Sequence, residues 1–583
     1  MNKLNKPIDL SKIYNNKLIQ IIINILFSIS TASLTAILIV GDFSTPVIDI
    51  LLPTFSFAIM LFITLKFKLL NRIFTNTNKV ILIISAVLGV YAIYLTSQFM
   101  LDYSTTFYNV IFLILAIPSA ITFLYWFYSK LLYYGKLLIK SLDKLEKIFL
   151  IVSVSIFSVI IIVSYNITTI FTEAYMTEQK RNYNLVYDVQ NEETLEKGKE
   201  FVEKTFSFFS GNLLYTFDTQ VLLATDVYNN INAPENDIRQ PFFGIFALPF
   251  TILPKLISQF TFTGVYYFLI AIVQGILISI SIILLEKLMK LKGLSKILFM
   301  IFLSVTYPTL LFMLNMEQYV IPVFYLITFI YMSINNMKDK NLLYIMSTGS
   351  LLTSGILFPL LGNTKNFKKS IVNILYTFIL FVVIAVLSAK ILLISPVKLE
   401  NQVDTFSNFM QNDKSTLEHI NMYTNFLQNT IIAPETEVTE TIFARQILTL
   451  NNLQYHLVAY SPNLNQANNT NVNIFGIAVL IIVFLGFILN KKDSFSKICF
   501  AWVLFSIVLL VIFGYGAFEN GFILYAYYFS WAFVCLLFKF FETVLQKWPK
   551  VKNTIYVLAI IPVAVINFYG IYQLIEFGLQ YYC

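Results

Sequence analysis

The sequence predicts an all-α polytopic membrane protein, and three observations carry that prediction. Of 583 residues, 57% are hydrophobic and only 12% charged, with a mean hydropathy of +0.74. A soluble domain has about 45–50% apolar and about 25% charged residues, so a cytosolic globular enzyme is excluded. Apolar runs of about twenty residues, enough to cross a hydrocarbon core about 30 Å thick, recur along the chain. Lys and Arg gather in the short connections between those runs, where they orient helices. The net charge of +8 is therefore no nucleic-acid footprint, and no nucleic-acid partner is expected. Cys499, Cys535 and Cys583 form neither a disulfide ladder nor a metal-ligand spacing. Two histidines argue against a zinc centre or a Ser–His triad.

The spans follow in order. Those at 18–40, 46–66, 79–98 and 108–128 make a four-helix membrane bundle of residues 1–130. The stretch 131–146 reads as an amphipathic cytoplasmic linker, its Leu and Tyr toward lipid and its Lys toward headgroups. A core, 147–394, opens with a span at 147–168 and continues through 264–286, 296–314, 319–334 and 371–394. Within it, 342–362 is apolar but interrupted by Gly349, Gly355 and Pro359, and the basic run Lys365, Lys368, Lys369 follows. A re-entrant pair of half-helices fits both features, since irregular backbone is tolerated at membrane depth where protein covers it. Residues 473–583 add spans at 473–489, 497–513, 521–537 and 554–573, about thirteen in all.

Lys3, Lys6, Lys12 and Lys17 precede a first span that is too long for a signal peptide and lacks a small-residue cleavage site. The N-terminus is accordingly placed in the cytoplasm of a cell membrane. In that register 29 of the 40 basic residues face the cytoplasm, and the short outer turns 41–45, 99–107, 315–318 and 514–520 carry none. Two large polar segments, 169–263 and 395–472, remain outside, so the active face is extracytoplasmic. No Walker loop, GxGxxG, CxxC pair or HExxH occurs, which leaves nucleotide-driven chemistry without a seat.

The first external segment changes character along its length. Residues 188–204 read as a solvated helix with Glu and Lys four apart, such as Glu200 and Lys204. Beyond it, Asp218 and Asp226 stand eight residues apart among aromatic residues, a spacing that puts both on one face of a helix. NDIRQP then sets Asp237 and Arg239 beside Pro241. The run 241–257 is short and broken by Pro249 and Pro254, and is expected to lie as an interfacial helix on the outer leaflet.

This order resembles the GT-C superfamily of integral-membrane glycosyltransferases, which take sugar from a polyprenyl-phosphate donor. The likeness is carried by the Asp-bearing outer loop, by the Arg239–Gln240–Pro241–Phe242 step and by NMEQYVIPVFYLI (315–327). The glycine-interrupted 342–362 and ENGFILYAYYFSWAF (519–533) agree with it. It covers about 147–573; Gln240 stands where His is common, and the four leading helices are an addition.

The resemblance implies transfer, of the inverting kind, from a polyprenyl-phosphate-linked sugar to an extracytoplasmic acceptor: a cell-wall polymer, a lipid or a glycan. Such chemistry needs a carboxylate to take the acceptor's proton and cations to receive the leaving phosphate. Asp218 is the candidate base and Asp226 the second carboxylate. Arg239 and Arg445 are the candidate phosphate ligands. Glu317, Gln240, Tyr228, Glu519 and Tyr525 are candidates for binding substrate. Each also has a plain structural role open to it, as a cap, turn or belt residue, and His419 reads as a surface or core histidine. No resident cofactor is implied and no metal-ligand set is specific; a divalent cation is compatible with the superfamily. The alternatives are a lipid-linked sugar transporter or flippase, which would want charges inside helices, and a polysaccharide polymerase or ligase, which would want paired outer arginines.

Overall fold

The computed structural model describes residues 16–39, 46–74, 77–103, 107–167, 183–187, 239–261, 264–314, 319–362, 367–390, 407, 410, 414–434, 437–442, 448–450, 453–463, 471–516 and 521–581. Helices follow the apolar runs. The first six are α1 (Lys17–Ile39), α2 (Pro46–Phe67), α3 (Leu69–Phe74), α4 (Lys79–Tyr103), α5 (Phe107–Ser141) and α6 (Lys144–Ile167). After strand β1 (Tyr183–Tyr187) come α7 (Phe243–Gln259), α8 (Gly264–Met289), α9 (Leu294–Val305), α10 (Tyr307–Leu314) and α11 (Val320–Ile334). Then α12 (Lys340–Ser350), a 3-10 segment (Leu352–Gly362), α13 (Phe367–Leu387) and α14 (Thr416–Asn429) lead to β2 (Glu437–Ile442), β3 (Leu448–Leu450) and β4 (Leu453–Asn463). The chain closes with α15 (Ile474–Leu489), α16 (Ser494–Ile507), a π-helical turn (Val508–Ile512), α17 (Gly521–Leu524), α18 (Ala526–Val544) and α19 (Pro549–Tyr581).

This is a multi-pass membrane protein. Among the described residues ten helices are long and apolar enough to cross a bilayer, or eleven when α9 and α10, bent by 54°, count as one span. The other two expected spans are α11 and α15, helices of 15 and 16 residues, shorter than the roughly 20 that an upright crossing needs. The helical class describes the membrane part, and a four-stranded antiparallel sheet is added to it.

Contacts divide the chain into two units. The first comprises Met1–Lys144, Ala224–Phe260 and Asn335–Val403. Here α1 and α5 are joined by small polar groups, the usual adhesive between helices when lipid is as apolar as their side chains. The Ser30 hydroxyl accepts the Ser119 N–H next to Pro118, and Thr31 and Ser119 share a hydrogen bond of 3.0 Å. At the far end of α1, the Thr35 hydroxyl donates to the Leu387 carbonyl, one of the orphan acceptors at the end of α13. The expected linker 131–146 is mostly helix: α5 runs unbroken for 35 residues through Ser141. The expected interfacial segment is α7, which is mostly buried, with Tyr128 donating to the Pro249 carbonyl and Leu248 and Ile252 packed in a core with Leu38, Leu88 and Leu124, while Leu253 and Ile257 are exposed.

The second unit comprises Leu145–Leu223, Thr261–Ile334 and Asp404–Cys583. One end is tied by charge: buried Glu146 at the start of α6 takes Lys287 of α8 and Lys296 of α9 at 3.1 and 2.7 Å, and Lys296 also reaches Glu286. The bend between α9 and α10 falls just before Pro308, which cannot donate a helical bond. Buried Asn567 of α19 repairs it by donating to the Val305 and Ile431 carbonyls and accepting the Ala433 N–H. At Gly486, α15 comes so close to α18 that a Cβ would strike the Leu536 carbonyl.

The sheet lies in this unit. Its central strand β4 pairs with β1 on one edge and with β2 and β3 on the other. Tyr183 faces Ala459 and Tyr187 faces Tyr455, while Glu437 faces Asn463 and Ile442 faces Val458. Strand β1 belongs to the first expected external segment and β2 to β4 belong to the second, so main-chain hydrogen bonds join the two.

Candidate functional site

The described part of the candidate site is a polar turn seated on a broken hairpin in the first unit. The hairpin forms because α12 stops at Leu351, whose extended backbone (φ −156°, ψ 102°) turns the chain into the 3-10 segment. Three side-chain bonds show the two arms running back along each other. Lys340 Nζ donates to the Leu360 carbonyl, Tyr344 OH to the Gly355 carbonyl, and Ser347 to Ser354. Both feet meet the start of α13, where Asn341 reaches Asn373 and Thr377, and Asn373 donates to the Leu361 carbonyl. The chain therefore leaves and returns at one level. Ten residues of α12 put the break about 15 Å from Lys340, half of a hydrocarbon core about 30 Å thick.

Arg239 is held at that break. Its carbonyl accepts the Leu352 N–H at 2.7 Å, and the Phe242 N–H donates to the Gly349 carbonyl at 2.7 Å. These two bonds bracket Gln240 and Pro241 and fix the turn that starts α7. Gly349 is required by the fit, because a Cβ would lie 2.5 Å from Phe242 Cδ2. Arg239 is half-buried and Gln240 is buried. The Ser350 hydroxyl, also buried at the break, has no hydrogen-bond partner among the described residues. A half-buried guanidinium next to the N-terminus of a 17-residue helix is an anion-favouring arrangement, since unpaired N–H groups and the helix dipole add to the fixed charge.

Tyr525 belongs to the second unit, in an aromatic cluster. Its ring meets Tyr319 at 6.0 Å and Tyr515 at 5.9 Å between centroids, and Tyr319 meets Phe312. Gly516, at φ +74°, lies against the Tyr525 ring. Tyr319 directly follows residues 315–318, which contain Glu317, and Tyr515 and Tyr525 lie to either side of Glu519 in sequence. Glu317 and Glu519 lie outside the described residues, as do Asp218, Asp226, Tyr228 and Arg445. Arg445 falls in the sequence between β2 and β3.

The strands went unread in the sequence, whereas His419, read there as a surface or core histidine, falls in the core. His419 is buried on α14, with Nδ1 at 3.2 Å from the Val511 carbonyl in the π-helical turn, so it serves packing there. The strands had a signal in Tyr183–Tyr187 and in LQYHLVAY, both rich in aromatic and branched residues. Among the described residues no group of three or more His, Cys, Asp or Glu could hold a metal ion.

No protein family, no curated protein and no solved structure matches this chain.

Proposed function

We propose that the protein is a membrane glycosyltransferase that moves a sugar from a polyprenyl-phosphate donor to an extracytoplasmic acceptor, a wall polymer, lipid or glycan. The observation that carries the reading is the Arg239 turn, held by two backbone bonds at the break of a hairpin whose arms leave and return at one level. A donor carried by a lipid needs a cationic site within reach of the bilayer, and a polar break inside a membrane bundle supplies one. Arg239 receives the leaving phosphate, with Arg445 as second ligand. Asp218 takes the proton as the acceptor oxygen attacks the anomeric carbon. The bond from that carbon to the phosphate oxygen breaks, and polyprenyl phosphate leaves with the electron pair. Asp226, Gln240, Glu317, Tyr228, Glu519 and Tyr525 orient acceptor and sugar.

The test is sugar transfer in membranes expressing variants. Asp218→Asn keeps size but removes the proton acceptor, and transfer should fall about a hundredfold or more. Arg239→Ala should raise KM for the donor and lower kcat, since the cation serves both donor binding and the leaving group. Asp188→Asn, in the solvated part of the same segment, should change little. Full activity in both Asp218→Asn and Arg239→Ala would remove the assignment. A flippase reading draws on the bent α9–α10 pair and the hairpin, since discontinuous helices also build transport sites. It predicts movement of intact donor with no free polyprenyl phosphate.

A further inference from the structure

The last three turns of α5 present an exposed face among the described residues of the first unit. The helix is 35 residues long, or about 52 Å, against about 40–45 Å for a bilayer with its headgroups. It fits within that thickness at a tilt of roughly 35°, inside the range seen for spanning helices. At that tilt its final turns would run through the headgroup layer instead of projecting into water.

Residue chemistry agrees with that position. One side of these turns is taken: Lys130 and Tyr134 bind Asp339, and Tyr134 also donates to the Lys338 carbonyl. At about 100° per residue, Lys136 and Lys140 lie about 120° around the helix from that side, one turn apart. Leu132, Tyr133 and Ile139 flank them, and all five are exposed. Neither lysine has an ion-pair partner among the described residues. A face of long cationic side chains between bulky apolar ones suits one environment, the boundary between acyl chains and phosphates, where the stems lie in hydrocarbon and the ammonium groups reach the headgroups.

We propose that this face binds the headgroups of anionic membrane lipid, with Lys136 and Lys140 as the phosphate ligands and Leu132, Tyr133 and Ile139 as the apolar contacts. The inference does not depend on the proposed transferase activity. Anionic headgroups favour each nearby lysine by about fivefold in association.

The full-length protein carrying Cys583→Ser and Gly135→Cys, with a fluorophore at position 135, beside Leu132 and Ile139 and with open space around the added side chain, is reconstituted in phosphatidylcholine vesicles. Quenching is compared for trace spin-labelled phosphatidylglycerol and spin-labelled phosphatidylcholine. Phosphatidylglycerol should quench more strongly, by about fivefold or more. The Lys136→Gln/Lys140→Gln variant should bring the ratio close to one, and Lys136→Arg/Lys140→Arg should keep it high. A ratio near one in the unaltered lysine background would overturn the proposal. So would a probe that neither lipid quenches, because the face would then stand in water, open to a soluble partner. A ratio unchanged in the Gln variant would also overturn it, by removing the two lysines as the ligands.

Discussion

At Gly349 a methyl group has no room. A Cβ there would meet the Phe242 ring at 2.5 Å, and Phe242 is the residue whose N–H bonds the Gly349 carbonyl. Gly349→Ala must move one arm of the hairpin or the Arg239 turn, and overpacking of this kind costs about 1–3 kcal/mol. Unfolding of the purified variant should register that loss, and donor KM should rise more than for Gly135→Ala, where nothing lies within 4 Å of the added atom. Equal donor KM in the two variants would show that the turn does not depend on the hairpin. Arg239 was legible in the sequence because an arginine next to Gln-Pro at the start of an apolar run stands out. Its seat was not. The bonds from Arg239 and Phe242 reach residues more than a hundred positions away through the backbone, and backbone pairing at that distance leaves no mark on side-chain patterning.

Elements broken within the bundle need polar repair, and Asn567 supplies it for α9 and α10. Asn567→Leu would leave the Val305 carbonyl and the Ala433 N–H without their partner in a buried setting, at a cost of about 2–4 kcal/mol. Unfolding in detergent or bicelles would measure it; an unchanged midpoint would mean that the bend is held by other contacts. A second element-scale prediction concerns Asp493, which caps α16 through Ser496 and pairs with Lys539 at 3.0 Å. Burial pushes its carboxyl up, but Lys539 and the Ser496 bonds outweigh that and hold it below its ordinary value of 3.8. A carboxyl depressed in the folded state stabilises the protein above the unfolded pKa, and that share is lost as pH falls through the folded value. Asp493→Asn should therefore flatten the loss of stability in acid below about pH 4, while Asp493→Ala also loses the cap, about 1 kcal/mol at every pH. At this scale the sequence located nearly every helix, since a twenty-residue apolar run has few other fates. It did not reveal where a run joins its neighbour, as in α5, nor the strands, because short alternating segments in polar stretches resemble loops.

Across the whole molecule, the pairing of β1 with β4 ties together two segments separated by more than two hundred residues, and it requires them to share one side of the membrane. Cysteines at Leu185 and Leu457, directly opposite in the register, should cross-link on oxidation. Sidedness has its own check: Gly198→Cys and Leu294→Cys should be labelled from opposite faces, because the 29 basic residues of the expected cytoplasmic connections fix that orientation. Labelling from the same face would end the topology on which an outer site rests. The central claim, that a lipid-phosphate donor is consumed, is tested most directly by the purified full-length protein in vesicles containing a radiolabelled polyprenyl-phosphate sugar and a mixture of envelope acceptors. Free polyprenyl phosphate should be released in step with sugar appearing on acceptor, and more slowly in Arg239→Ala. Movement of intact donor across the bilayer with no polyprenyl phosphate released would contradict it.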